Sequence, residues 1–202
     1  MTPDPNPRPI LDLRSYVQWF DDALTPEFSA QMVSAFEQMS QHQVPNGRGV
    51  QTALPDSAWT ELNIQPHVDQ AFLGFFYAQI DKYLAAYNAR LPLGLPVPAR
   101  PHFEDLRMKR YNHTKQEGFQ PHFDAGDQHA NRYMVFLWYL NDVATGGETT
   151  FPDLGIKVEA RAGRLLMFPP YWMFQHAGLA PVSNDKYIVS TYMLFQAPDA
   201  AS

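Results

Sequence analysis

The chain has 202 residues, 45% hydrophobic and 18% charged, which is an ordinary globular balance with enough length to bury a substantial core as one domain. A formal net charge of −6 gives no electrostatic ground for binding nucleic acid or an anionic membrane, and no apolar run reaches the length of a transmembrane helix. With no cysteine, disulfides, thiolate metal sites and a Cys nucleophile are excluded. The 14 Phe, 10 Tyr and 4 Trp favour a β-rich fold or an aromatic-lined pocket. Residues 1–9 are Pro-rich and polar, without the apolar core of a signal peptide. They read as a disordered lead-in, and the protein as soluble and cytoplasmic.

Past this lead, Val17, Trp19 and Phe20 suit a short strand. Thr25-Pro26-Glu27 is a helix start, with Thr25 at the N-cap, Pro26 at the first helical position and Glu27 in the first turn. Phe28, Met32, Phe36 and Met39 recur at helical spacing, so 26–41 is expected to be an amphipathic helix whose Met/Phe stripe is core. Residues 42–66, with three prolines and Asn46-Gly47, look loop-rich with at most a short strand near 50–53. A second helix is expected over about 67–90, with Val68, Phe72, Phe75, Phe76, Ile80 and Leu84 inward. Pro92, Pro96, Pro98 and Pro101 then prevent helix. His42, His67 and His102 lack a nearby partner of metal-ligating type and read as surface or loop residues.

From about residue 103 the texture becomes that of strands. Leu106 to Tyr111, Asn131 to Asn141, Glu148 to Phe151, Gly155 to Val158, Arg164 to Phe168, Phe174 to His176 and Lys186 to Phe195 alternate with turn signals such as Gly146-Gly147. The expected fold is mainly β with helices (α+β), two N-terminal helices packed on a C-terminal β-structure. Two residues apart on a strand point the same way, so His122 and Asp124 could present an imidazole and a carboxylate to one metal, with Phe123 turned away. A three-residue match is common by chance and needs a third ligand. His129 lies in a polar loop, whereas His176 ends the apolar stretch from Tyr171 and is the natural partner. Ten residues later Lys186 opens an otherwise apolar strand, either as a solvated end or as a fixed cation at the base of a pocket.

These residues, in order, resemble the catalytic domain of 2-oxoglutarate/Fe(II)-dependent dioxygenases of the prolyl 4-hydroxylase type. The resemblance runs through Pro121-His122-Phe123-Asp124, Tyr139-Leu140-Asn141-Asp142-Val143 with Gly146-Gly147-Glu148-Thr149 and Phe151-Pro152, Ala162 to Phe168, and His176-Ala177-Gly178 to Lys186. It implies a double-stranded β-helix (jelly-roll) core over 102–196, supported by a helical part over 10–101, in a single domain of 10–202. It implies Fe(II) held by His122, Asp124 and His176, with Lys186 on the distal carboxylate of the cosubstrate 2-oxoglutarate and Tyr111 reaching the same carboxylate. The resemblance further implies dioxygen as the oxidant and admits ascorbate as an accessory reductant. The segment Asn112 to Gly118 is about two residues longer than the family usually has, which loosens the match at Tyr111, and Tyr187 stands where a Trp is common. Related halogenases replace the metal carboxylate with a small residue, and Asp124 is present, so hydroxylation is implied. Arg161 and Arg164 read as solvated strand ends, and Leu137, Tyr139, Phe151, Leu166 and Trp172 as pocket walls or plain core.

The activity implied is hydroxylation of an unactivated C–H, foremost of a peptidyl-proline, with succinate and CO2 as coproducts. A free amino acid or other small molecule is the alternative substrate, and a non-catalytic metal-binding jelly-roll module is the alternative of another class.

Overall fold

Thr25 caps the first helix as its sequence requires, its hydroxyl accepting the Phe28 N–H at 3.2 Å, with Pro26 opening the first turn. The computed structural model describes residues 12–126 and 129–196; the lead-in expected over 1–9 lies outside them. Helix α1 (Pro26–Gln38) is followed by a 3-10 turn at Ser40–His42. Helix α2 (Gln70–Arg90) starts three residues later than the periodicity suggested. Gln65–His67 forms a 3-10 turn instead, and the Asp69 carboxylate caps the helix through the Phe72 N–H at 2.8 Å.

The strands, in chain order, are β1 (Gln18–Phe20), β2 (Val44–Gly47), β3 (Ala58–Asn63), β4 (His102–Phe103), β5 (Arg107–Tyr111), β6 (Phe119–His122), β7 (Arg132–Tyr139), β8 (Thr149–Phe151), β9 (Ile156–Val158), β10 (Leu165–Phe168), β11 (His176–Gly178) and β12 (Lys186–Leu194). They form two antiparallel sheets. The larger has the order β1-β10-β7-β12-β5-β3-β2, with β4 also on β12, and the smaller the order β6-β11-β8-β9. The result is mostly β with two helices.

Alternation along the strands divides the interior into two layers. Met108 of β5, Phe136 and Trp138 of β7, and Val189 and Met193 of β12 turn to the helices, where they meet Phe36, Phe76, Ile80 and Leu84. Phe76 and Trp138 pack edge to face with centroids 5.1 Å apart. Each such side chain, fully buried, contributes roughly 1.5–3 kcal/mol relative to exposure. Tyr111, Val135, Tyr139, Leu166, Phe168 and Ile188 turn the other way, towards Phe151 and Phe174, and make the layer between the sheets.

Five expectations need correction. The segment 42–66 holds two strands, β2 and β3, while 50–53 holds none. Pro45 is tolerated because β2 is the outermost strand of its sheet and needs no outward N–H bond there. Phe75 of α2 is 37% exposed, and Leu73 is buried in its stead. The apolar run before His176 is not strand: Trp172–Phe174 is a 3-10 turn, so His176 begins β11 rather than ending a strand. Trp172 is accordingly 66% exposed and walls nothing. Arg164 is buried, not solvated, its Nε bonded to Asp21 at 2.6 Å and its Nη1 to the Glu159 carbonyl. Arg161 is the exposed one, paired with Glu159.

One glycine ties β1 to this layer. Gly163 (φ +78°) turns its carbonyl to the N–H groups of Ala23 and Leu24, and a Cβ there would strike the Leu24 carbonyl.

Candidate metal centre

β6 and β11 are neighbours, and their register places His122 directly across from His176, with ring centroids 4.2 Å apart. Asp124 follows just past the end of β6, where its N–H and that of Ala125 both donate to the Pro170 carbonyl at 2.9 Å. This turn brings the carboxylate back to the imidazoles. His122 Nε2 lies 3.4 Å from Asp124 Oδ1, and His176 Nε2 lies 3.4 Å from Asp124 Oδ2. One ligand atom from each of the three residues falls within 4.8 Å of the others.

Both rings are oriented from behind. The Gln120 carbonyl lies 2.8 Å from His122 Nδ1 and the Phe174 carbonyl 3.1 Å from His176 Nδ1. A carbonyl can only accept, so each Nδ1 carries the proton and each Nε2 presents its lone pair to the centre. Asp124 Oδ2 is buried with no hydrogen-bond partner, an orphaned anionic acceptor of the kind a bound cation satisfies. Two neutral imidazoles and one carboxylate are the donor set that suits Fe(II) with open positions remaining.

The electrostatics agree. Burial works against charge on Asp124, but His176, His122 and Arg132 outweigh it and hold the carboxyl well below the usual carboxylate range. Burial lowers His176 to about 4, which keeps it neutral and able to ligate. Asp124 has a further support: Tyr192 on β12 donates its hydroxyl to Oδ1 at 3.0 Å. The guanidinium of Arg132 sits 3.7 Å over the Tyr192 ring, bonds the Asp124 carbonyl at 3.0 Å and grips Glu104 through two nitrogens. Sequence reasoning missed Tyr192. The only signal was its place on the same face of β12 as Lys186, six residues on. Tyr192→Phe is expected to weaken Fe(II) binding about tenfold, the lower end of what outer-shell changes cost, without changing the melting temperature appreciably. Anaerobic metal titration and a thermal melt would check this, and an unchanged iron affinity would refute it.

The three residues open into a cavity of about 520 Å³ that also receives Lys186, Tyr111, Lys109, Arg107, Glu61 and Trp59. Lys186 is paired across the sheet with Tyr111, and its ammonium lies 4.5 Å from the Tyr111 ring centroid. It is 2% exposed and donates to the Gly147 carbonyl at 3.0 Å. Gly147 itself takes φ +76°, so the Gly146-Gly147 pair is the turn the sequence suggested, and it also aims a carbonyl at this lysine. Burial lowers Lys186 to about 7 despite Glu148 nearby. Burial also pushes the Tyr111 phenol far above its usual value, which keeps it a donor. Leu137 lines the cavity as expected, whereas Tyr139 and Phe151 are core. His129, read as a loop residue without role, also reaches the rim. His42 and His67, read as lone surface residues, face each other with ring centroids 4.3 Å apart.

His122, Asp124 and His176 thus form a candidate metal cluster in a cavity that also holds a buried lysine, a donor set that suits non-heme iron. Residues 106–194, somewhat under half of the chain, match the family model described as the 2OG-Fe(II) oxygenase superfamily. Among curated proteins it is similar to prolyl 4-hydroxylase subunit alpha-1 of Gallus gallus, at 26% identity over 107 residues, 45% of this chain and 20% of the relative. The aligned part is thus a fifth of that relative's length. Solved structures with the same fold include a prolyl-4-hydroxylase of Pseudomonas putida (TM-score 0.65, 18% identity, covering 89% of this chain and 92% of that one). A viral collagen prolyl hydroxylase from Paramecium Bursaria Chlorella virus-1, determined with 2-oxoglutarate, aligns at TM-score 0.61 and 19% identity over 89% of this chain and 95% of its own. A Trichoplax adhaerens prolyl hydroxylase, solved with a hypoxia inducible factor peptide fragment, aligns at TM-score 0.66 and 16% identity over 89% of this chain and 84% of its own. No helix among the described residues is long and apolar enough to cross a membrane.

Proposed function

We propose that the chain is a 2-oxoglutarate- and Fe(II)-dependent dioxygenase that hydroxylates an unactivated C–H bond of a peptidyl-proline. The observation that carries this reading is the meeting of the His122, Asp124 and His176 ligand atoms with a buried lysine in one cavity. The overall reaction balances as substrate C–H, dioxygen and 2-oxoglutarate giving substrate C–OH, succinate and CO2. Bound Fe(II) would supply dioxygen activation at its open positions, and ascorbate would return oxidised iron to Fe(II).

The chain's own residues do the rest. His122, Asp124 and His176 would hold the metal, with the His Nδ1 bonds and the Tyr192 hydroxyl fixing their aim. Lys186 holds the distal carboxylate of 2-oxoglutarate by a charge-assisted hydrogen bond, and Tyr111 donates its phenol to the same group. Val135, Leu137, Ile188 and Phe168 line the cavity and limit water around the reacting centre. The two antiparallel sheets that enclose it support the reading of a double-stranded β-helix core. Described residues of the segments 42–66 and 112–130, among them Gln51, Leu54, Phe123 and His129, line the cavity, and these segments are the candidates to close over a substrate. The peptide substrate is supported by the relatives, three prolyl hydroxylases of the same fold, one solved with a peptide.

The test is incubation with Fe(II), 2-oxoglutarate, ascorbate and proline-containing peptides, with mass spectrometry and succinate followed together. One added oxygen on proline in step with succinate is expected. Succinate without peptide modification would move the substrate to a small molecule. Absence of both 2-oxoglutarate binding and the anaerobic visible charge-transfer band would overturn the oxygenase reading.

A further inference from the structure

We propose that Lys109 is the recognition cation for a carboxylate on the substrate that is oxidised, a residue that selects acidic over neutral targets. The proposal rests on the oxygenase reading above and adds the charge of its substrate.

Lys109 lies on β5 between Tyr111 and Arg107, on the face that lines the cavity. Register gives its depth: Tyr111 is opposite Lys186, Lys109 opposite Ile188, and Arg107 opposite Ser190. One pleat on a strand is about 7 Å, so Lys109 stands that far from the Lys186 end, towards the partly exposed Arg107.

The other cations of the cavity are engaged. Arg107 is 2.7 Å from Glu61 Oε1, Arg132 is 2.7 Å from Glu104, and Lys186 is held by the Gly147 carbonyl beside Tyr111. Lys109 differs. Glu61, its neighbour across the strands, has one oxygen on Arg107 and the other on Trp59 Nε1 at 3.0 Å. The Lys109 ammonium makes no ion pair or hydrogen bond among the described residues, and its nearest aromatic support is the Trp59 ring at 5.5 Å. Burial accordingly pulls its pKa down, with Glu61 and Asp124 resisting only through space.

Lys109 is half-buried, and an unpaired cation facing a cavity is open to a charge-assisted hydrogen bond with an anion that enters it. The cosubstrate's distal carboxylate does not supply that anion, because it is assigned to Lys186, and its other carboxylate would serve as a ligand to the bound iron. The remaining candidate is a carboxylate of the substrate itself, either an acidic side chain beside the target proline or a free main-chain carboxylate.

The experiment is calorimetry on the Zn(II)- and 2-oxoglutarate-loaded protein, which binds without turning over. The probes are two matched pairs: Pro-Glu against Pro-Gln tetrapeptides, and N-acetyl-L-proline against its amide. Within at least one pair the carboxylate member is expected to bind about tenfold more tightly, the scale of a charge-assisted hydrogen bond; which pair does so identifies the source of the carboxylate. Lys109→Met should erase that preference and Lys109→Arg should keep it. Equal binding within both pairs, binding by no probe, a preference that survives in Lys109→Met, or a Lys109→Met change felt only in 2-oxoglutarate affinity would each overturn the proposal. Turnover of the same probes by the Fe(II) protein separates the two ideas. A carboxylate preference with neither succinate nor the anaerobic charge-transfer band would sink the oxygenase reading and leave the anion site standing. Proline oxidation with no preference would sink the anion site alone.

Discussion

Replacing Asp124 by alanine is expected to abolish turnover and to remove tight Fe(II) binding, with His176→Ala giving the same result. Changes in the groups that merely orient a metal's ligands already cost about 10–100-fold, so loss of a ligand should exceed that range. The geometry makes Asp124 the more telling of the two. Its two oxygens face the two imidazoles, each at 3.4 Å, so without it the histidines have no anion between them and the site cannot balance a divalent charge. The measurements are anaerobic Fe(II) titration in the presence of 2-oxoglutarate, the visible charge-transfer band, and succinate formation. The variant should stay folded, because the turn that carries Asp124 is held by backbone bonds to Pro170 that alanine preserves. Wild-type iron affinity in Asp124→Ala would remove the residue from the metal centre.

Lys186→Ala should raise the 2-oxoglutarate requirement by about 10–100-fold, the loss of one charge-assisted hydrogen bond, while Fe(II) binding stays measurable. The same lysine predicts a pH dependence. Burial lowers it to about 7, and only its protonated form pairs with a carboxylate. At pH 6.5 the ligand-free protein has the ammonium ready; at pH 8.5 binding must first take up a proton. The apparent Kd for 2-oxoglutarate should therefore rise with pH above about 7, by at most about tenfold per pH unit, and calorimetry should record proton uptake. In Lys186→Arg the charge persists at all these pH values, so the profile should flatten. Fold stability moves in the opposite sense. The unfolded chain keeps this lysine protonated up to its ordinary value of 10.5, so the ligand-free fold gains stability as pH rises from about 7 towards that value. A pH-independent Kd in the wild type would show that Lys186 is not the cosubstrate's cation.

Much of this site was legible in the sequence because its residues are close in the chain or sit at strand ends. His122 and Asp124 are two residues apart, and Lys186 heads an apolar strand, so type and spacing drew attention to them, and the family resemblance gave them their roles. Cross-strand partnership was not legible. Tyr192, Glu61 and Lys109 matter through what lies beside them on other strands, and a linear pattern of one polar residue among apolar ones says nothing of its neighbour. The same blindness hid β2 and β3: Pro45 and Asn46-Gly47 signal loop, and only a place at the outer edge of a sheet lets such residues be strand. Arg164 was misread because Asp21, its partner, is remote in the chain. Both helices were plain, since caps and a 3.6-residue period are local properties, and their ends moved only by a turn.

β12 lies between β5 and β7 and faces Lys186, Ile188, Ser190 and Tyr192 to the cavity and Tyr187, Val189 and Met193 to the helices. A slip of one residue against either neighbour would exchange those two rows. It would withdraw the proposed cosubstrate cation and the support of Asp124 in the same event, and bury a charge under α1 and α2. Misfolded copies would keep the iron ligands on and beside β6 and β11 and lose the cation for the cosubstrate, so they would turn over far more slowly than native ones. Specific activity in a refolded sample should thus count correctly registered molecules, each fully competent, and report the fidelity of one strand's alignment.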